Sequence, residues 1–170
     1  YKGIKIMNMK TLLLAGTFML TAIAFTSNAQ ATDATGQASA FIQNPIVITE
    51  AEAMDFATIN ADPDGDTITL DTNGDLDASN ASTFAGNAVP GEFDVTGTPN
   101  GAVSISFVDG TLSGPGDDMD LTAFTHNAGN SPSFDNNGDL NFNVGADLDI
   151  NNGQVGGQYS GTYTLTVEYQ

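Results

Sequence analysis

The run Tyr159-Ser160-Gly161-Thr162-Tyr163-Thr164-Leu165-Thr166-Val167-Glu168-Tyr169-Gln170 alternates with a period of two. Tyr159, Gly161, Tyr163, Leu165, Val167 and Tyr169 fall on one side of an extended chain, and Ser160, Thr162, Thr164, Thr166 and Glu168 on the other. β-Branched and aromatic residues suit a pleated, half-buried surface. At about 3.4 Å per residue the run reaches roughly 37 Å, enough to cross a whole sheet. A strand with one apolar face needs cover, and that cover comes either from its own domain or from another molecule.

Upstream, strand and turn signals recur about every ten residues, the spacing of an antiparallel sandwich. Ile46-Val47-Ile48-Thr49 and Met54-Asp55-Phe56-Ala57-Thr58-Ile59 read as strands, with one helical turn expected between Glu50 and Met54. Thr67-Ile68-Thr69-Leu70 is a strand closed by Asp71-Thr72-Asn73-Gly74-Asp75, whose Asn-Gly pair is a strong hairpin signal. Residues 76–84 read as loop or edge. Further strands are expected at Phe93-Asp94-Val95-Thr96, at residues 102–108 and 119–125, and at Leu140-Asn141-Phe142-Asn143-Val144 and Leu148-Asp149-Ile150. Asp109-Gly110 and Gly145-Ala146 read as breaks between them. Asp135-Asn136-Asn137-Gly138-Asp139-Leu140 repeats the chemistry of residues 71–76, and two copies of a turn do not make a repeat protein. The expected fold is all-β, an antiparallel immunoglobulin-like β-sandwich with an extended N-terminal arm.

The arm covers residues 32–45 and precedes a sandwich over residues 46–170. Ala34, Gly36, Ala38, Ala40 and Ile42 give it a slim apolar face, with Thr35, Gln37 and Ser39 between them. Asn44-Pro45 interrupts the pattern, because proline cannot donate to a ladder. The arm is either a strand given to a neighbour or the first strand of its own sandwich.

Residues 1–31 read as an export signal. Lys2, Lys5 and Lys10 precede an apolar run from Leu12 to Phe25, and the small residues Ser27, Ala29 and Ala31 follow. That run is shorter than the roughly 20 residues of a membrane span. Met7 or Met9 reads as the start, with residues 1–6 upstream of it. Beyond the signal the chain keeps all 21 Asp and Glu and has no Lys or Arg. Phosphate has nothing to pair with, so nucleic acid and anionic membranes are poor partners. Cysteine is absent, so neither a disulfide framework nor a lipid anchor on cysteine is available. The expected location is secreted, extracellular or at the cell surface, without stable membrane insertion.

Residues 45–49 and 54–59, taken with Gly161-Thr162-Tyr163-Thr164-Leu165-Thr166-Val167-Glu168-Tyr169, resemble a secreted bacterial family catalogued only as a domain of unknown function. That family is Gly- and Thr-rich, cysteine-free, and looks distantly like spore-coat-U and fimbrial domains. The end of the chain is also similar to chaperone-usher pilins, with a penultimate Tyr169 and with Gly157 fourteen positions from the end. The resemblance implies an immunoglobulin-like domain short of one strand, which the arm of the next subunit supplies. Ala34, Ala38, Ala40 and Ile42 would then be the donor face, and Tyr163, Leu165, Val167 and Tyr169 the acceptor. Many such pilins carry a disulfide that this chain cannot form.

Metal and catalytic chemistry are weaker readings. Asp62, Asp64 and Asp66, and Asp71, Asn73 and Asp75, place oxygen ligands at alternate positions, which makes calcium the candidate ion. Neither set completes an EF-hand, and the same residues are the ordinary material of turns. No other cofactor is expected. His126 is the only imidazole and reads as part of a loop, too few nitrogens for a zinc site. Asp117, Asp118 and Asp120 lack the Trp and Arg that would hold a sugar beside paired carboxylates. The expected protein is no enzyme. It is a structural subunit of an extracellular filament or pilus, its partners copies of itself together with export or assembly proteins. The alternative is a monomeric secreted module that binds polysaccharide or protein, with calcium as a helper.

Overall fold

A computed structural model describes residues 31–170. Residues 1–31, read as an export signal, therefore lie outside the described residues, apart from Ala31. Ten strands and no helix follow: β1 Val47–Glu52, β2 Thr58–Asn60, β3 Asp66–Leu70, β4 Leu76–Ala78, β5 Thr83–Ala85, β6 Gly91–Thr96, β7 Val103–Ser113, β8 Met119–His126, β9 Asp139–Ile150 and β10 Ser160–Tyr169. The expected helical turn at residues 50–54 is absent. Glu50 pairs with Phe93 and Glu52 with Glu92 across a bulge, so the β6 ladder takes the backbone bonds a helix would have used. Residues 76–84, read as loop or edge, supply the short strand β4 and the start of β5.

The fold is all-β and antiparallel. Its main sheet runs β1-β6-β9-β8-β7-β10, and β2 pairs separately with β5. β9 is the spine. The first half of one edge pairs with β6, from Asp139 to Val144, and the second half with β3, from Ala146 to Ile150, while β8 lies along the other edge. Phe142, Val144, Ala146, Leu148 and Ile150 all point inward from it, as period-2 geometry requires. They join two core clusters. Phe56, Ile68, Leu70, Met119 and Leu121 gather around the far half of β9, and Phe93, Val95, Val103, Phe134 and Val167 around the near half.

Two glycines read as breaks lie inside strands. Gly145 sits where the β9 edge passes from β6 to β3, and a β-carbon there would overlap the Leu70 carbonyl oxygen. Gly110 lies in a bulge, where Asp109 and Gly110 together face Tyr163 between the pairs Val108–Thr164 and Thr111–Thr162. A side chain at Gly110 would meet the Thr162 carbonyl. A second bulge on β8 sets Ala123 at φ 49° between Thr122 and Thr125.

The two look-alike turns are built the same way. Asp71 Oδ1 accepts from the amides of Asn73 at 2.8 Å and Asp75 at 2.9 Å. Asp135 Oδ1 accepts from Asn137 at 2.7 Å and Asp139 at 2.9 Å. These bonds hold both carboxyls below the usual aspartate range, chiefly through the amides of Asp75 and Asp139. Burial alone would raise the Asp66 carboxyl, but the Ser82 hydroxyl and the amides of Asn80 and Ser82 outweigh it and leave it lowered as well. A folded-state pKa below the unfolded value of about 3.9 stabilises the fold above that pH, and the contribution is lost as pH falls through the folded value. Acid melts between pH 5 and 2 should therefore show a shallower loss of midpoint for the Asp71→Asn/Asp135→Asn double variant than for the parent. Equal slopes would mean that these turns contribute nothing to acid sensitivity.

Candidate functional site: a groove between two open strand edges

Both ends of the main sheet open onto one groove. Among the described residues β1 pairs only with β6, and β10 only with β7. Ile48 and Glu50 of β1, Met54 and Phe56 just beyond it, and Gly161, Tyr163 and Leu165 of β10 line a space of about 540 Å³. Its floor is core: Phe93 and Leu121 reach it from β6 and β8. The groove continues past Ala53, Met54, Phe56, Leu112 and Gly161 into a wider compartment of about 770 Å³. Met119, Leu148 and Ile150 line that compartment, beneath the loop from Gln154 to Tyr159. β1 is exposed along its whole length, with Val47 54% and Ile48 37% exposed. Apolar side chains beside unpaired backbone are an unfinished strand edge.

Tyr163 occupies the middle of the groove. Its hydroxyl is buried with no hydrogen-bond partner. Burial pushes that hydroxyl up to about 12, with a further contribution from the charge of Glu50 across the groove. The ring also closes a circuit of aromatic contacts. Centroid distances run 4.8 Å to Phe124, 5.1 Å from Phe124 to Phe107, 6.2 Å to His126, 5.9 Å to Phe142, 6.1 Å to Phe93 and 6.3 Å back to Tyr163. Such contacts favour offset and edge-on geometries. Here they tie β6, β7, β8, β9 and β10 together under the groove. His126, read as a loop residue, is the last residue of β8 and packs between Phe107 and Phe142 in this circuit.

The inward parity of β10 is the one read from the sequence, but its four side chains do different things. Tyr163 and Leu165 line the groove. Val167 is buried in the core. Tyr169 packs edge-on to Phe134, accepts from the Thr98 amide at 2.7 Å and donates to the Asn44 carbonyl at 2.7 Å. The Asn44 amide in turn donates to Thr98 Oγ1 at 2.6 Å. The chain entering β1 is thus fastened at its root. Tyr169→Phe keeps the ring packing and orphans two backbone groups, so it should cost about 1–3 kcal/mol and lower the melting midpoint by several degrees. An unchanged melt would show that the hydroxyl bears no load.

No residue from 31 to 46 belongs to a strand. Residues 31–39 have no regular secondary structure, and Ala34 and Ala38 lie among them. Ala40 begins the compact unit that runs to Gln170. Within that unit Phe41 is 79% and Ile42 88% exposed, and neither pairs with a strand.

Of the acids read as calcium ligands, Asp62, Asp66 and Asp71 turn carboxylate oxygens to backbone amides. Asp62 accepts from the amides of Asp64 at 2.9 Å and Ala81 at 3.3 Å, and Asp66 from Asn80 at 2.8 Å and Ser82 at 3.1 Å. Asn73 Nδ2 donates to Asp71 Oδ2 at 2.9 Å, and the Asp75 amide to Asp71 Oδ1. Asp64 enters this network through its amide alone. Among the described residues no three His, Asp or Glu are grouped to hold a metal ion. No helix among them is long and apolar enough to cross a membrane.

These features define an all-β, sandwich-like antiparallel domain whose two outermost strand edges flank an apolar groove. Residues 46–169 match the family described as a domain of unknown function, DUF4402, and the chain belongs to that family. No curated protein and no solved structure matches it.

Proposed function

We propose that this chain is an exported structural subunit, an immunoglobulin-like sandwich short of one strand, that polymerises when the N-terminal arm of one copy fills the groove of the next. The observation that carries this reading is the bare edge of β10 facing the bare edge of β1 across a groove floored by core side chains. A strand laid there would hydrogen-bond to both edges and bury Ile48, Met54 and Leu165 at once. Main-chain bonds supply affinity in such strand addition, and alternate side-chain pockets supply selectivity. The arm suits the task in length, since residues 34–43 equal the ten residues of β10. It suits it in charge as well. Residues 34–49 carry no acid, in a chain with 21 Asp and Glu, and the groove is flanked by Glu50, Glu52 and Asp55.

The one histidine is packed among phenylalanines. A head-to-tail contact of this kind propagates as an open fibre. Deleting residues 32–43 from the exported chain should leave folded, monodisperse domains that no longer form filaments, seen by negative-stain microscopy and size-exclusion chromatography. Filaments that persist after the deletion would discard strand exchange. A parent chain that elutes as a discrete monomer with a protease-resistant arm would point instead to a monomeric binding module.

A further inference from the structure

We infer that the outer face of β7 and β10 is a self-docking surface, on which a second copy of this chain lies face to face about a two-fold axis near Val108 and Thr164. This face is the side of β10 turned away from the groove, so the inference stands apart from strand exchange.

The register of the two strands sets Thr162 beside Thr111, Thr164 beside Val108 and Thr166 beside Ser106. These residues have the parity opposite to Tyr163, Leu165 and Val167, which turn to the groove and the core. Thr166 is half-buried and the other five are exposed. The patch ends at Ser160 beside Ser113 on one side and at Glu168 beside Ser104 on the other. Glu168 is the one acid on the outward parity of β10, and Asp109 of β7 falls in the bulge opposite the inward Tyr163.

Elsewhere the acids are dense. Asp120 and Asp149 stand directly opposite one another on β8 and β9, and Glu52 and Glu92 on β1 and β6. No Lys or Arg follows Lys10 to offset them. Like charges set against each other suppress a contact, so two copies that meet by those faces repel. A basic partner would be drawn to those acids, and a sugar would find no aromatic ring on the outer face of β7 and β10. The partner whose matching surface is known to lack charge is the chain itself.

Val108 gives the contact its centre. It is 62% exposed on an inner strand, whereas Val47 and Ile48 belong to the open edge of β1. Set among hydroxyls, it makes an apolar middle with a polar rim, the anatomy of an interface. Two-fold pairing lays Val108 and Thr164 of one copy on the same two residues of the other. The ten residues of β10 run about 34 Å, and two strands at about 4.8 Å spacing bury roughly 900 Å² in all, below the about 1,200–2,000 Å² of stable complexes. Single copies therefore pair transiently, and copies linked in a row would pair firmly, because each contact raises the effective concentration of the next.

The absence of cysteine lets one introduced thiol report the contact in the full exported chain. Facing sheets stand about 10 Å apart, so a short bis-maleimide joins the thiols. At high salt, where acids elsewhere are screened, Val108→Cys should give a covalent dimer on denaturing gels on the order of tenfold faster than Thr69→Cys, each rate normalised to single labelling. Thr69 is the control because it is exposed on the outer face of β3, bonded to Asp147. Thr164→Glu in the Val108→Cys chain should lower its rate to that of Thr69→Cys and leave the melting midpoint nearly unchanged. Equal rates from the two thiols, or a Val108→Cys rate indifferent to Thr164→Glu, would overturn the pairing. Denaturing gels dissolve noncovalent fibres, so the dimer band supports this face whether or not filaments form. Filaments without the band would refute the face and leave strand exchange standing.

Discussion

Gly145→Val is expected to remove most of the stability of the domain. Gly145 stands where the β9 edge changes partner, and any β-carbon there overlaps the Leu70 carbonyl oxygen and comes within 2.9 Å of the Asp71 carbonyl carbon. Both are backbone atoms in the turn of the β3–β4 hairpin, so no flexible side chain yields. Relief requires β3 to move away from β9, which would separate Ile68 and Leu70 from Ala146, Leu148 and Ile150 in one of the two cores. Overpacking a tight site costs about 1–3 kcal/mol when side chains can adjust. Here the loss of a ladder as well should exceed about 4 kcal/mol, a large part of a typical stability of about 5–15 kcal/mol. Far-UV circular dichroism and limited proteolysis test this directly. Gly156→Ala is the control, because a β-carbon at Gly156 meets nothing within 4 Å. A Gly145→Val chain that melts like the parent would show that the β3–β9 junction is not part of the stable core.

Glycine is also where sequence reading and structure diverge most. A glycine marks a turn, a bulge or a close approach with the same single letter, since all three exploit a missing side chain. Gly74 and Gly138 come with an Asn and flanking aspartates that hydrogen-bond locally, so their turns are legible without a partner. Gly110 and Gly145 have no such local signature. What demands them is Thr162 on β10 and Leu70 on β3, far away in the chain. Long strands such as β7 and β9 therefore look broken in sequence. The absence of a helix at residues 50–54 has a similar origin: the local pattern permits one turn, and a six-residue partner strand offers more bonds.

The groove was half legible. Strict alternation in residues 159–169 announces an apolar face on β10, because the period is visible within one segment. The β1 side is not announced. Val47 and Ile48 read as a strand, but whether its edge is bare depends on which strand lies beside it, and that is topology. The aromatic circuit under Tyr163 escapes sequence reading for the same reason. Phe93, Phe107, Phe124, His126 and Phe142 sit on four strands with no shared spacing and meet only when the sheet curls. A small clue existed in Gly91, where a β-carbon would lie 2.6 Å from the Tyr163 hydroxyl. A glycine opening a strand otherwise rich in Phe and Val is room left for something large.

A synthetic peptide of residues 33–43 should raise the melting midpoint of the domain lacking residues 32–43. A ligand that binds only the folded form stabilises it by about 2.7 kcal/mol at a hundred times its dissociation constant. For a domain of this size that is a shift of about 10 °C. The gain should depend on the inward face of the peptide alone. Ala38→Asp would set a carboxylate on the apolar face of the peptide, in a groove lined by Glu50 and without a cation to pair with, and should remove the shift. Gln37→Asp, on the outward face, should keep most of it. A midpoint that stays fixed at millimolar peptide would mean that the two open edges do not accept this segment, however well its length and charge suit them.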